Sequence, residues 1–375
     1  MNVPSHGQPF DENGEVQRVV PSPAQRPVVL DLSKEQLQKL LGTWGEPAYR
    51  AKQVWHGLYR QLAATPETLS DLPKALRARL SEETIWDPLT PLMTLRSLDG
   101  QTQKVLFALP DGAQVEAVLM HYARRHTVCL STQAGCAIGC PFCATGQGGF
   151  QRNLSAGEMV AQVLYFARQV AAQGERITNV VLMGMGEPLA NYEATWAAIR
   201  RLNDPEGFGL RARAITLSTV GLVPGIRRMA HEPEQVNLAV SLHAANDALR
   251  DRLVPINRSF PLTQLLEACR YYIAHTHRRV SFEYALIADV NDRDEDALQL
   301  AGLLSGLLAH VNLIPLNPTP DSSFQPSPRA RVQAFQHILQ QQRISCTVRL
   351  RRGLDIQAGC GQLRLHRRQE ERAAR

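Results

Sequence analysis

Three cysteines inside eight residues, Cys136, Cys140 and Cys143, are the part of this chain best equipped for chemistry. They stand in the stretch Gly135-Cys136-Ala137-Ile138-Gly139-Cys140-Pro141-Phe142-Cys143-Ala144-Thr145-Gly146. Thiolates this close can converge on one soft metal centre. A closed structural zinc site takes four ligands, and an ordinary iron–sulfur cluster takes four cysteines. No second cysteine-rich cluster lies nearby to supply the fourth. A three-thiolate set suits a cubane of four irons with one iron left open. An open iron can bind and reduce a substrate or cofactor, so the count points to catalysis rather than to storage or structure.

Further candidates stand at the ends of apolar runs. Met183-Gly184-Met185-Gly186-Glu187-Pro188 combines glycines that permit close backbone approach with a carboxylate that can accept from a ligand ammonium. Taken alone, such a turn is more often a tight loop. Ser218, in Thr216-Leu217-Ser218-Thr219, and the triplet Ser241-Leu242-His243 close two more runs with polar groups. Asn317 follows Leu313-Ile314-Pro315-Leu316. Singly each reads as a cap or turn residue; their recurrence is the signal. Among the remaining cysteines, Cys129 alternates within an apolar run and reads as a core thiol. Cys360 lies in a glycine-flanked loop, where a reactive role fits better than a core one. Cys269 and Cys346 read as structural. Glu116 by itself reads as the solvent-facing residue of a strand.

The elements that must position these groups follow from periodicity. Residues 1–28 are polar with scattered proline and read as a disordered leader. Leu37, Leu40 and Leu41 repeat at helical spacing behind a Ser33 N-cap; Val54, Trp55 and Leu58 mark a second helix, and Leu76 and Leu80 a third after Pro73. This gives a small helical unit over 29–92. Short alternating runs with turns at Asp99-Gly100 and Asp111-Gly112 predict a β extension over 93–126. From 127 to 345, apolar runs alternate with helical stretches. The predicted strands are Val128–Ser131, Val180–Met183, Ile215–Ser218, Val236–Ser241, Val280–Ile287 and Val311–Leu316, and Ser155 to Glu158 forms a capping-box pattern. Such alternation predicts an α/β fold with a parallel sheet, a partial (β/α)6 barrel. Sites on parallel sheets sit at the carboxyl ends of strands, where the cysteine motif falls directly after the first strand. A last strand, Cys346–Leu350, leads to the Cys360 loop and a basic tail over 346–375.

The chain has 375 residues and a net charge of +6. Basic residues gather in the helical unit (Lys34, Lys39, Arg50, Lys52, Arg60, Lys74) and near the C-terminus (Arg349, Arg351, Arg352). Clustered positive charge suits a nucleic-acid backbone, but charge alone slightly favours a solvated helical face. No apolar run is long enough to span a bilayer and no signal-peptide pattern opens the chain, so a cytosolic protein with reduced thiols and no membrane association is expected.

The C-x3-C-x2-C spacing with an aromatic before the last cysteine resembles the radical S-adenosylmethionine (SAM) superfamily. The four stretches Cys136–Gly146, Met183–Asn191, Ser241–His243 and Asp355–Leu363 are similar, more closely, to the RlmN/Cfr family of radical-SAM enzymes that methylate adenosine in RNA. Pro188 after Met-Gly-Glu looks like the RlmN branch, where the Cfr branch tends to have alanine. The resemblance implies a [4Fe-4S] cluster on Cys136, Cys140 and Cys143, and two molecules of SAM per turnover. It implies SAM contacts from Gly186, Glu187, Ser218, Ser241, Leu242, His243 and Asn317. Cys360 falls at the family's methyl-carrying cysteine, Cys129 at its disulfide-forming partner and Glu116 at its proposed proton acceptor. Gly359 stands where relatives often have alanine. The RlmN branch acts on C2 of an adenosine in 23S rRNA and in some tRNAs, and the Cfr branch on C8. A monomer served by an electron donor such as flavodoxin or ferredoxin is expected. The rival readings are a C8 enzyme, a radical-SAM enzyme acting on a small molecule, and an iron–sulfur carrier or sensor that cleaves no SAM.

Overall fold

Ser33 starts the first helix, α1 (Lys34–Thr43). Its hydroxyl accepts from the Gln36 N–H, and the Gln36 side chain accepts from the Ser33 N–H, so two otherwise orphaned donors are satisfied. Helices α2 (Tyr49–Tyr59) and α3 (Lys74–Glu83) follow. Leu37, Leu41, Val54, Trp55, Leu58, Leu76 and Leu80 are all buried, as their three- and four-residue spacing requires. A computed structural model describes residues 26–318, 322–349, 355, 356 and 361–363. Most of the expected leader, the basic tail and Cys360 itself lie outside the described residues.

A meander comes next: β1 (Thr90–Arg96), β2 (Thr102–Ala108), β3 (Gln114–Tyr122) and β4 (Arg125–Cys129), each antiparallel to its neighbour. After β4 the chain makes a small hairpin of β5 (Gln133–Gly135) and β6 (Phe150–Asn153). That hairpin encloses the cysteine loop and the short helix α4 (Ala144–Gln147). The cysteine loop therefore does not follow the first barrel strand directly; β5 intervenes and pins the base of the loop.

The rest alternates. Helix α5 (Ala156–Ala171) leads to β7 (Asn179–Leu182), α6 (Tyr192–Asn203) to β8 (Ile215–Thr219), and α7 (Val223–Met229) to β9 (Asn237–Ser241). Helices α8 (Asp247–Leu253) and α9 (Leu262–Thr276) precede β10 (Val280–Leu286). Helix α10 (Asp294–Leu304) precedes β11 (Ala309–Pro315), and α11 (Arg329–Gln341) precedes β12 (Cys346–Val348). The main sheet runs β1-β2-β3-β4-β7-β8-β9-β10-β11-β12. From β4 onward every pairing is parallel. Six βα-type strands in order, with β12 added at the edge, are the incomplete barrel the sequence predicts. The predicted β extension is not a separate sheet: β3 pairs with β4 and carries the barrel sheet outward.

The helical unit is docked on the outside of α5 and α6. The Gly157 N–H donates to Asp31 Oδ1 at 2.6 Å, and Arg201 donates to the Asp31 carbonyl at 2.6 Å. Trp55 Nε1 donates to Asp204 Oδ2 at 2.9 Å, and Lys34 pairs with Asp204 and Glu206, both at 2.7 Å. No helix among the described residues is long and apolar enough to cross a membrane.

Candidate active site

The carboxyl ends of the parallel strands surround a cavity of about 290 Å³. Cys136, Cys140 and Cys143 all line it. The loop that carries them is tied back on itself. Cys136 N–H donates to the Gly149 carbonyl at 3.2 Å, Cys143 N–H to the Cys140 carbonyl at 3.1 Å, and Gln147 Nε2 to the Pro141 carbonyl at 2.9 Å. Burial pushes the Cys136 thiol up to about 11 and the Cys140 thiol higher still, with repulsion from Cys143 adding to both. Three neighbouring thiolates are thus unfavourable without a cationic centre to hold them, which is the condition a metal cluster meets. Among the described residues, no three His, Cys, Asp or Glu side chains are set to hold a single metal ion. A cluster asks for a looser arrangement, because each thiolate binds a different iron.

Opposite the cysteines lies the Met183–Pro188 turn. Gly186 has φ +104°, and a Cβ there would stand 2.6 Å from Gln133 Cβ, so only glycine fits. The turn is stitched to the strand leading into the cysteine loop. Thr132 and Gln133 N–H groups donate to the Met185 carbonyl at 2.8 and 3.1 Å, and Glu187 N–H donates to Gln133 Oε1 at 2.9 Å. Glu187 is buried; its carboxylate accepts from the N–H groups of Leu189 (3.0 Å) and Val220 (2.8 Å). Burial pushes this carboxyl up to about 7 against the opposing effect of those hydrogen bonds.

Ser218 and Ser241 face each other across β8 and β9, their hydroxyls 3.5 Å apart. His243 has φ +59°, a left-handed conformation that is uncommon for histidine. Asn291 holds its carbonyl at 2.8 Å, and the Ala285 N–H donates to its Nδ1 at 3.0 Å. Burial and the nearby Arg250 push its imidazole down to about 3, so the ring is neutral. With Nδ1 accepting, the proton sits on Nε2 as a fixed donor. Phe142 packs edge-on against this ring at 4.9 Å. Asn317 lines the cavity with a buried Oδ1 that has no hydrogen-bond partner among the described residues, and Thr145 Oγ1 is in the same state. Such orphaned polar atoms are what a polar ligand would satisfy.

Of the sequence-predicted contacts, Gly186, Glu187, Ser218, Ser241, His243 and Asn317 therefore meet in one cavity with the three cysteines. Leu242 does not line it. Its side chain is fully buried in the core, and only its backbone takes part, donating to the Glu283 carbonyl at 2.9 Å. Sequence reasoning missed Glu283, Arg250, Thr145 and Gln362. Glu283 is buried on β10, lines the cavity and accepts from Asn312 Nδ2 at 2.8 Å. A carboxylate between Phe282 and Tyr284 in an apolar strand was the available signal. Arg250 is wholly buried beneath the cavity. Its guanidinium donates to the carbonyls of Val220 (2.6 Å), Ser241 (3.2 Å) and Leu242 (3.1 Å), tying together the ends of β8 and β9. Nothing in its helix, Asp247-Ala-Leu-Arg-Asp-Arg-Leu253, distinguishes it from a surface arginine.

The remaining candidates lie beside the cavity. Glu116 is buried, not solvent-facing, and forms an ion pair with Lys104 at 2.8 Å. Cys129 is buried against Val118 and Met120. Val118 is its cross-strand partner, so Cys129 and Glu116 stand on the same face of the β3–β4 pair. The Gly361 N–H donates to Glu116 Oε2 at 2.9 Å, and Gln362 lines the cavity. Gly361 has φ +79°, and a Cβ there would lie 2.4 Å from Thr145 Oγ1. The chain next to Cys360 is thus wedged between Glu116 and the helix that follows Cys143. The expected Cys129–Cys360 disulfide finds no support: no disulfide is found among the described residues, and Cys360 lies outside them.

Comparison with known proteins matches a model of the Radical SAM superfamily to residues 130–301. A model of the ribosomal RNA large subunit methyltransferase N-terminal domain matches residues 29–85. The "Dual-specificity RNA methyltransferase RlmN 1" of Myxococcus xanthus is 50% identical over 334 residues, covering 89% of this chain and 93% of that protein. The "Probable dual-specificity RNA methyltransferase RlmN" of Chloroflexus aurantiacus is 51% identical over 350 residues, covering 89% and 91%. A crystal structure of a radical SAM methyltransferase from Sphaerobacter thermophilus superposes with a TM-score of 0.88 at 53% identity, covering 90% of this chain and 98% of that one.

Proposed function

The chain belongs to the RlmN family of radical SAM RNA methyltransferases, and we propose that it methylates C2 of adenosine in 23S rRNA and in tRNA, with Cys360 carrying the methyl group. The observation that carries the site assignment is the seating of the C-terminal loop. Gly361 donates to Glu116 and packs on Thr145, while Gln362 faces the cavity lined by Cys136, Cys140 and Cys143.

C2 of adenine is an electron-poor C–H carbon, so direct attack on a sulfonium methyl would be very slow. A [4Fe-4S] cluster held in that cavity would supply an electron for the reductive cleavage of SAM, of which two molecules would serve each turnover. The chain's own residues do the rest. Cys136, Cys140 and Cys143 hold the cluster. Glu187 accepts from the SAM ammonium, and Asn317, Ser218, Ser241 and the fixed Nε2–H of His243 offer the polar contacts that orient it. Leu242 contributes through its backbone. Cys360, as a thiolate, takes up the methyl group of one SAM and S-adenosylhomocysteine leaves; once a hydrogen atom is removed from that methyl, its carbon can bond to C2 while still on the Cys360 sulfur. Glu116 and Cys129 share one face of the β3–β4 pair, and Glu116 accepts from the N–H of Gly361, the residue after Cys360; either can take the ring proton. The Cys129 sulfur then attacks the Cys360 sulfur, forming a disulfide as the methylated base leaves. The base must leave its stack to enter, so loops or single strands are the expected targets.

We assign residues 29–92 to RNA contact, 93–126 to the sheet extension, 127–345 to the barrel and 346–375 to the carrier loop and tail. A reduced flavodoxin or ferredoxin would serve as donor to a cytoplasmic monomer. Nucleoside mass spectrometry of rRNA and tRNA treated with reconstituted enzyme tests the reading. 2-Methyladenosine is expected; 8-methyladenosine alone, or no methylated adenosine, would overturn it.

A further inference from the structure

The amino-terminal ends of the barrel strands, opposite the cavity, carry an unneutralised concentration of arginine. Two adjoining depressions of about 920 and 650 Å³ share Arg213 and Gln235. Arg124, Arg125, Arg176 and Arg211 line the first, and Arg278 and Arg279 the second. Among the described residues, none of these seven arginines forms an ion pair. Their bonds go to neutral groups: Arg213 to Gln235, Arg278 to Asn237, and Arg125 onto the Tyr122 ring. Glu234 sits in the same basin, but Arg200 and Trp196 hold its carboxylate. Several arginines elsewhere are paired with Asp or Glu, among them Arg79, Arg152, Arg168, Arg200, Arg228 and Arg331; what sets the basin apart is seven unpaired arginines gathered in one place.

Seven guanidinium groups without counter-charge repel one another, and the fold keeps them together. The geometry points to a second RNA-binding surface here, one that grips phosphates of the substrate RNA away from the modified base; this rests on the RNA methyltransferase reading above. The chemistry of the lining favours this occupant. Ala212, Ala214 and Pro233 are its only apolar residues, so it lacks the aromatic and apolar anchors of a protein interface. His277 is the one ring in this lining against seven guanidinium groups, so the contact is chiefly to the backbone. Guanidinium forks match phosphate oxygens in geometry and charge. An electron-donor protein is a poor fit, because the cysteine loop lies at the opposite ends of the strands.

The expected RNA grip of the helical unit is also smaller than its composition suggests. Lys34 is spent on Asp204 and Glu206, Arg79 on Glu83, and Arg60 on the Pro205 carbonyl. Lys39, Lys52 and Lys74 are the exposed lysines left there.

The test is binding of the anaerobically reconstituted holoenzyme to tRNA and to a 23S rRNA fragment, measured across a range of salt. Two variants are compared, Arg124→Gln/Arg176→Gln/Arg211→Gln and Arg213→Gln/Arg279→Gln. Each lost phosphate contact makes the log–log salt slope shallower by about 0.7–0.9. A slope shallower by about 2 is expected for the triple variant, with 5′-deoxyadenosine formation from SAM retained as evidence of an intact fold. The control Arg200→Gln/Arg228→Gln, which removes paired arginines, keeps the wild-type slope. Wild-type slopes in both basin variants would overturn the proposal, as would loss of turnover with a donor protein at unchanged RNA binding, which would assign the surface to that protein. If wild-type enzyme binds RNA without salt dependence, the functional reading fails together with it.

Discussion

Glu187 holds the chain ends of two strands and, in the proposed complex, the SAM ammonium as well. Its carboxyl stands at about 7 because burial outweighs two backbone donors. An ammonium needs the ionised form, so SAM affinity falls as pH drops below about 7 and is flat above it. Equilibrium dialysis should show a roughly tenfold loss between about pH 8 and pH 6, removed in Glu187→Gln, which binds weakly at both. His243 contributes nothing to that profile, since its imidazole stays neutral throughout. At this scale the sequence was readable where residue type is itself unusual, as with three thiols in eight residues. It was unreadable for Arg250, because an arginine's burial depends on three carbonyls brought to it by strands remote from its own helix. Arg250→Met should remove the guanidinium donors of the Val220 and Ser241 carbonyls and of Asn257 Oδ1, while the Leu242 carbonyl keeps the Ala244 N–H. At about 1–3 kcal/mol for each buried unsatisfied group, urea unfolding should register a loss of several kcal/mol.

Elements place these residues through a few backbone contacts. The Met183–Pro188 turn is pressed onto β5, so the SAM-facing turn and the cysteine loop form one unit. The C-terminal loop joins that unit through Gly361. Gly361→Ala would bring a methyl within 2.4 Å of Thr145 Oγ1 and 2.7 Å of its amide nitrogen. Methyl transfer to RNA should be lost while iron content stays at the wild-type level; loss of iron as well would mean the clash is transmitted to the cysteine loop. The parallel strands and their order were legible because each reads as a short buried run between helical patterns. The β5–β6 hairpin was not. Its strands are three and four residues long, and their pairing depends on a Gly149 carbonyl reaching Cys136 across the loop.

Across the whole molecule, composition located positive charge but not its use. Lys34 looked like part of an RNA grip, yet it docks the helical unit on the barrel. Filter binding should show Lys39→Gln/Lys52→Gln/Lys74→Gln weakening RNA binding with a shallower salt slope, whereas Lys34→Gln leaves the slope unchanged. The central claim is that one cavity couples SAM cleavage to methylation of an adenosine. It is tested most directly by a single anaerobic assay that counts 5′-deoxyadenosine and methylated adenosine in the same sample of reduced, reconstituted enzyme, SAM and RNA. Equal amounts of the two are predicted, with neither formed by Cys136→Ala/Cys140→Ala/Cys143→Ala. Deoxyadenosine without methylated RNA, or methylated RNA from the triple variant, would contradict it.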